Sequence, residues 1–249
     1  MTDGPPARRF TVSARSKAPG TPILGFLAEE YPQLAWDEIE SVFGFVDPCA
    51  LYGGRPFAQP ELSQRDVLAL ADAGIGLRLP LSNHWVTREE YEAARWLLEK
   101  HHREGNSVIT VSEPLAAWIR ADFPLFEREA SVIKDICTHL RIDAALEHYD
   151  TIVLPMRCCQ DEAFLAGIRH KQRITLFANA GCALACPARI CYPSFSNANK
   201  GTGEPTRCSF DTRPRDLLGM IDFDVEHLRS LGFHRFKLLR SRNHGLTGF

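Results

Sequence analysis

Four cysteines, Cys182, Cys186, Cys191 and Cys208, lie within the stretch ANAGCALACPARICYPSFSNANKGTGEPTRCSF, half of the eight in a chain of 249 residues. Thiolates are metal ligands and redox centres, so their spacing is the first chemical clue. It reads C-x3-C-x4-C-x16-C. Tetrahedral zinc sites commonly present C-x2-C pairs, and none occurs here. A 4Fe-4S cluster takes four thiolates on a larger cube and tolerates loose, unequal steps. Gly181, Pro187, Gly201 and Gly203 supply turns for such wrapping. The spacing favours a 4Fe-4S cluster, with zinc as the alternative cofactor and metal-free packing as the bland reading.

The other cysteines divide differently. Cys137, in IKDICTHL, reads as a small buried hydrophobe. Cys49, Cys158 and Cys159 also read first as packing residues, although the vicinal pair Cys158 and Cys159 at a strand end could donate one ligand. Around the loop, Asn179, Ser194, Ser196, Asn197 and Asn199 are hydrogen-bond donors able to tune cluster sulfurs, or simply turn formers. Lys237, Arg240 and Arg78 are cations suited to an acidic small molecule. His84, at the end of a strand-like run, has an ordinary pKa near ~6.5 and could act as an acid or base, although a loop histidine is more often polar surface.

These side chains need elements to hold them. Strand-like runs occur at Ile23–Ala28, Ser41–Val46, Ala50–Gly53, Gly74–Ser82, Ser107–Ser112, Glu129–Ile133, Thr151–Pro155, Ile174–Ala178 and Arg235–Arg240. Helical periods lie between them at Ser63–Ala73, Thr87–Glu104, Pro114–Ala121, Asp161–His170 and Asp224–Leu231. This alternation predicts an α/β fold, a single (β/α)8 TIM-like barrel with some irregularity. No GxGxxG or GxxxxGK follows an early strand, so a nucleotide cradle has no support. Barrels of this kind gather chemistry at the C-terminal ends of their strands. Those ends carry Ser82, Asn83, His84, Ser112, Glu113, Glu129, Ser131, Cys158, Cys159, Asn179, Lys237, Arg240 and Arg242.

Lys+Arg 29 against Asp+Glu 31 leaves a net charge of -2, and no basic stripe with interleaved aromatics is present, which argues against nucleic acid as a partner. The first twenty residues, polar and rich in Pro, Gly and Arg, read as a flexible segment, with the barrel spanning 21–249. No eighteen apolar residues run together and no apolar leader core precedes the barrel, so the expectation is a cytoplasmic protein without a membrane span.

ALYGGRPF, SVITVS, EASVI, the run from Cys191 through CYPSFSNANKG to Cys208, and the closing LRSLGFHRFKLLR together resemble the collagenase-like peptidase family U32. The resemblance covers Ile23 to Arg240. It implies a TIM-like barrel whose cysteines hold a 4Fe-4S cluster. Better understood members resemble oxygen-independent hydroxylases that use a prephenate-like co-substrate; others carry a protease label, and some relatives act as pairs. Carried over by position, Cys191, Ser196, Asn197, Asn199 and Cys208 match the family's cysteine, serine-asparagine, glycine, cysteine run. Cys182, after Asn179 and Gly181, matches its Gly-Ala-hydrophobic-Cys element, whereas Cys186 is an added step, so the resemblance leaves Cys186 as the fourth ligand or Cys49, Cys158 or Cys159 in its place.

The expected protein is therefore a 4Fe-4S enzyme, an oxygen-independent hydroxylase or related redox catalyst of a small molecule. Its metal ligands would be Cys182, Cys186, Cys191 and Cys208. Asn179, Ser196, Asn197 and Asn199 would lie around the cluster, and His84, Asn179, Lys237 and Arg240 would face the substrate. Three alternatives compete with it. One is a noncatalytic cluster- or zinc-bearing partner subunit; another is a U32-type peptidase, although no G-x-S-x-G or H-E-x-x-H occurs. The third is a radical S-adenosylmethionine-like enzyme, to which CALACPARICY bears only a superficial likeness.

Overall fold

The computed structural model describes residues 7–186, 188–209 and 220–240. Pro187 and Arg242 fall outside them. Eight parallel strands close a barrel: β1 (Arg9–Ser13), β2 (Ile39–Phe43), β3 (Gly76–Leu79), β4 (Ser107–Thr110), β5 (Glu127–Ala130), β6 (Thr151–Val153), β7 (Ile174–Phe177) and β10 (Arg235–Leu238). Their order around it is β1-β10-β7-β6-β5-β4-β3-β2. A two-stranded antiparallel ribbon, β8 (Asn179–Ala180) with β9 (Ile221–Asp222), lies between β7 and β10 in sequence. The helices between the barrel strands are α1 (Ile23–Glu30), α2 (Gln64–Asp72), α3 (Arg88–His101), α4 (Glu113–Asp122), α5 (His139–Ala145), α6 (Glu162–Ala166) and α9 (Val225–Ser230). The cysteine loop holds α7 (Cys182–Ala185) and α8 (Cys191–Asn199). Among the described residues, no helix is long and apolar enough to cross a membrane.

Local chemistry explains many of the boundaries. Thr87 caps α3: its hydroxyl accepts the Glu90 amide at 3.2 Å, while the Glu90 carboxylate accepts the Thr87 amide at 2.9 Å. Ser63 and Asp66 do the same at the start of α2, and Asp66 also accepts the Ile23 amide at 2.9 Å, which fixes the start of α1 against α2.

Four readings of the chain need correction. Ile23–Ala28 is part of helix α1, whose buried Ile23, Phe26 and Leu27 follow a helical face. The first strand instead lies at Arg9–Ser13, inside the stretch whose composition reads as a flexible leader. Its alternate residues hide the signal, because Thr11 and Ser13 are polar yet buried: the Thr11 and Ser41 hydroxyls pair at 3.0 Å, and the Ser13 amide donates to the Tyr31 hydroxyl at 3.0 Å. Ala50–Gly53 is a turn, and β5 begins at Glu127 and is over before Val132–Lys134, which form a 3-10 turn.

The apolar core lies mainly between strands and helices, with Val12, Val42, Leu77, Leu79, Val108, Ile152 and Leu176 packed under Leu70, Leu97, Leu115 and Leu228. The barrel interior is different. It carries Arg78, Ser107, Glu129, Thr151, Thr175 and Lys237, all buried. Arg78 donates to Glu129 at 2.5 Å and to Ser107 at 2.9 Å, and Thr175 and Thr151 donate to the other Glu129 oxygen at 2.9 and 3.3 Å. Near the starts of the strands, Arg235 meets Glu127 at 2.5 Å and Glu40 at 3.2 Å. A column of ion pairs therefore fills the space that branched apolar side chains occupy in most such barrels.

Candidate functional site

At the C-terminal ends of the strands a cavity of about 100 Å³ opens above this column. Phe43, Phe177, Ile109 and Met156 supply apolar walls, Gly53, Gly54 and Arg55 one rim, Ser131 to Ile133 another, and Tyr192 a third, with Lys237 among the lining residues. An outer groove is lined by His84, Asp135, Arg157, Cys186 and Arg189, and it shares Ile133 and Tyr192 with the cavity. The mouth of the barrel and the cysteine loop thus adjoin at these two side chains.

The GG pair of ALYGGRPF makes the first rim. A Cβ on Gly53 would stand 2.1 Å from the Ser82 carbonyl oxygen, and Gly54 has φ +79°, so only glycine lets this loop lie on the 80–83 backbone. The contact is sealed by hydrogen bonds from Gly53 to the Pro80 carbonyl at 3.3 Å and from Asn83 to the Leu51 carbonyl at 3.0 Å. Arg55, also on this rim, pairs bidentately with Glu61 and stacks over Phe45 at 4.1 Å.

Helix α8 is fastened across this rim by its own polar residues. Asn199 accepts the Phe57 amide at 2.7 Å and donates to the carbonyls of Tyr52 at 3.1 Å and Arg55 at 2.9 Å. The Asn83 side chain donates to the Ser196 carbonyl at 2.9 Å, and Lys200 pairs with Glu90 at 2.7 Å. Asn199 is thus a staple between α8 and the glycine loop. Replacing it by alanine strands one amide and two carbonyls, and Asn199→Ala is expected to cost about 2–3 kcal/mol in chemical denaturation. A loss below about 0.5 kcal/mol, inside the surface range, would show the loop to be held by its glycines alone.

The four loop cysteines lie around the end of α7 and the start of α8, near enough for Cys182, Cys186 and Cys208 to act on the charge of Cys191. Cys182 opens α7, Cys186 ends it, and Cys191 opens α8. Cys208 returns beside α8, because Ser194 accepts the neighbouring Arg207 amide at 3.0 Å. Burial, then the charges of Cys186, Cys182 and Cys208, push the Cys191 thiol up to about 12. The Arg189 amide donates to the Cys186 sulfur at 3.3 Å, and the Arg189 side chain reaches Asp135, which Arg157 also holds at 2.6 Å. Burial opposes ionisation of Asp135, but the two guanidiniums hold it down at about 2. Among the described residues no three His, Cys, Asp or Glu side chains are close enough to share one metal ion. Cys49 and Cys158 pack with the core, and burial raises both thiols to about 11. Cys159, raised to about 12 by burial, donates to the Phe177 carbonyl at 3.7 Å. Cys137 also packs against the core.

The remaining residues singled out in the sequence separate by what they touch. Lys237 lines the cavity. His84 lines the outer groove, its Nδ1 3.0 Å from the Ser196 hydroxyl, and burial lowers its pKa so that the ring is neutral at pH 7. Ser196, 0% exposed, donates to the Tyr192 carbonyl at 3.1 Å. Asn179 exchanges two hydrogen bonds of 2.8 Å with the Leu239 backbone, Asn197 reaches Glu204 at 2.7 Å, and Arg240 pairs with Glu30 on α1. Asn179, Asn197 and Arg240 are therefore occupied by the fold, and none of them lines the cavity. Arg78, read as a substrate cation, is consumed by Glu129 inside the barrel. Arg55 and Tyr192 escaped the sequence reading; only their position in the glycine motif and next to Cys191 pointed to them.

No family model and no curated protein matches the chain. A solved structure described as that of the U32 peptidase Mk0906 superposes with a TM-score of 0.64, covering 97% of this chain and 96% of that one at 13% identity. The resemblance to the U32 family read from the motifs is thus matched by a shared barrel fold along almost the entire chain.

Proposed function

We propose that this protein is a small-molecule enzyme of the redox type, with Cys182, Cys186, Cys191 and Cys208 holding a 4Fe-4S cluster beside a substrate cavity at the barrel mouth. The observation that carries the reading is that Cys182, Cys186 and Cys208 lie within electrostatic reach of Cys191, next to a cavity that ends on the adjoining Tyr192. The donor set fits such a group. Burial first, and the neighbouring Cys186, Cys182 and Cys208 after it, disfavour the Cys191 thiolate, and a cationic iron core would favour it. No three of these side chains are close enough to share a single metal ion, whereas a four-iron cube takes each thiolate on a different iron. When bound, the cluster would supply one-electron transfer, or a Lewis-acidic iron if one cysteine stayed unbound.

The chain's own residues supply the rest. The apolar walls exclude water, Lys237 offers a cation or an amine, and neutral His84 beside the cysteine loop is poised to accept a proton from a group in the outer groove. A hydroxylase acting on an acidic small molecule, with a prephenate-like co-substrate, is the finer form of this proposal and rests on the U32 resemblance. The peptidase reading has less support. The Ser196 and His84 pair is the natural nucleophile and base, but Ser196 is fully buried and already bonded to its own helix.

Iron, sulfide and zinc should be quantified per chain after anaerobic purification, with each of the eight cysteines changed to alanine in turn. About four irons and four sulfides are expected, lost in the four loop variants and retained in Cys49→Ala, Cys137→Ala, Cys158→Ala and Cys159→Ala. Stoichiometric zinc without sulfide would overturn the cluster.

A further inference from the structure

The chain has six lysines, and five have a polar partner. Lys17 pairs with Asp66 at 3.2 Å, Lys100 with Asp47 at 2.8 Å, Lys134 with Glu113 at 2.9 Å and Lys200 with Glu90 at 2.7 Å, while Lys171 donates to the Leu231 carbonyl at 2.7 Å. Lys237 is the exception. Its side chain makes no hydrogen bond or ion pair with any described residue, although the residue is only 7% exposed. Its Nζ lies over two aromatic faces instead, 4.3 Å from the Phe43 ring centroid and 6.0 Å from that of Phe177, and the same three side chains line the mouth cavity. The nearest acid in the column, Glu129, is already saturated by Arg78, Thr151 and Thr175.

We propose that Lys237 is a nucleophilic amine that forms an imine with a small, apolar-bodied aldehyde or ketone bound in the mouth cavity. The proposal takes from the functional reading only that this cavity is the substrate site; it does not need the cluster. Geometry carries it. A buried amine without an acceptor, at the C-terminal end of the last barrel strand and in an apolar cavity, is positioned to attack rather than to hold a salt bridge. Burial supports it, since with the charges of Arg78 and Arg55 it outweighs Glu129 and lowers Lys237 to about 8. A usable fraction of the amine is then neutral near pH 7, where an ordinary lysine at ~10.4 is almost wholly protonated.

The step balances without an outside oxidant or reductant. The Nζ lone pair adds to the carbonyl carbon as the C=O π bond breaks onto oxygen, and a proton moves from nitrogen to that oxygen. The resulting carbinolamine loses water, and a C=N bond takes the place of the C–O bond. The Ser82 and Ser131 hydroxyls share the cavity lining and are the polar groups available to relay these protons. The cavity, about 100 Å³, limits the ligand to a few non-hydrogen atoms, and its walls of Phe43, Ile109, Met156 and Phe177 select an apolar body.

The full chain should be incubated with propanal and sodium cyanoborohydride, which reduces the imine to a stable propyl amine, and the adducts mapped by peptide mass spectrometry. Lys237 is expected to be alkylated at least about tenfold faster than any of the other five lysines, because they are charged and paired. Lys237→Arg, which keeps the charge and the stem, should lose that single fast adduct while its circular dichroism spectrum stays unchanged. Labelling of Lys237 no faster than that of the exposed Lys100 would overturn the imine, as would fast labelling that persists elsewhere in Lys237→Arg. The same experiment on protein with its metal content measured separates this result from the cluster: an adduct without iron refutes only the cluster, and iron without an adduct refutes only the imine.

Discussion

Glu129→Ala is expected to lower unfolding stability by about 3–5 kcal/mol in urea titration, the largest loss of any single substitution in the barrel interior. The carboxylate is 0% exposed and its two oxygens satisfy Arg78, Thr175 and Thr151. Removing it leaves the Arg78 guanidinium, 1% exposed, without its close counter-ion, and Glu40 at 3.8 Å is a poor substitute. Burial alone would raise the Glu129 pKa, but Arg78, Lys237 and Arg235 together hold it below the ordinary carboxylate value. Its folded pKa is therefore lower than the unfolded value near ~4.3, so the stability it contributes is complete above that pH and is lost as pH falls through the folded pKa. The wild-type chain should accordingly lose stability in acid more steeply than Glu129→Leu combined with Arg78→Met. That double variant is expected to recover most of the loss at pH 7, because paired apolar replacements remove both desolvation costs. A loss under about 1 kcal/mol in Glu129→Ala would mean that water enters the column and solvates Arg78.

Gly53→Ala is expected to cost about 3 kcal/mol and to close or distort the mouth cavity, although it adds a single methyl group. The new carbon would stand 2.1 Å from the Ser82 carbonyl oxygen, 2.3 Å from its carbon and 2.6 Å from the Asn83 nitrogen, all backbone atoms with no rotamer to change. The loop must lift, which breaks the bonds to Pro80 and Leu51 and pulls on the Asn199 staple. Gly25→Ala is the matched control. Gly25 sits inside α1 with nothing within 4 Å of a methyl group added there, and alanine at this position should stabilise by ~0.5–1 kcal/mol. Equal melting temperatures for the two variants would refute the close backbone approach at Gly53.

The alternation of short apolar runs with helical periods was enough to define a βα barrel, because a parallel strand shielded by helices must carry apolar residues toward them. Val42, Leu77, Val108, Ile152 and Phe236 are such residues, and the helical periods read from Ser63 and Thr87 begin at the residues that cap α2 and α3. The cysteine spacing, and the likeness of the motifs to the U32 family, were also properties of the chain alone. What escaped was every feature that depends on the inward face of the strands. Thr11 and Ser13 made β1 look like a solvated leader, since nothing local reveals that Ser41 and Tyr31 wait to bond them.

Tertiary structure alone decided which polar residues are available for chemistry. Arg78 by its charge, Arg240 and Asn179 by their place at strand ends and Asn199 by its place in the cysteine loop read as site residues, yet each finds a partner from 30 or more positions away that uses up its charge or hydrogen bonds. Among the described residues the Lys237 amine finds none, and only closing β10 between β1 and β7 sets it over Phe43 and Phe177. The physical reason is that pattern and propensity act over a few residues, whereas the pairing or isolation of a buried charge is a sum over strands that meet only when the barrel closes.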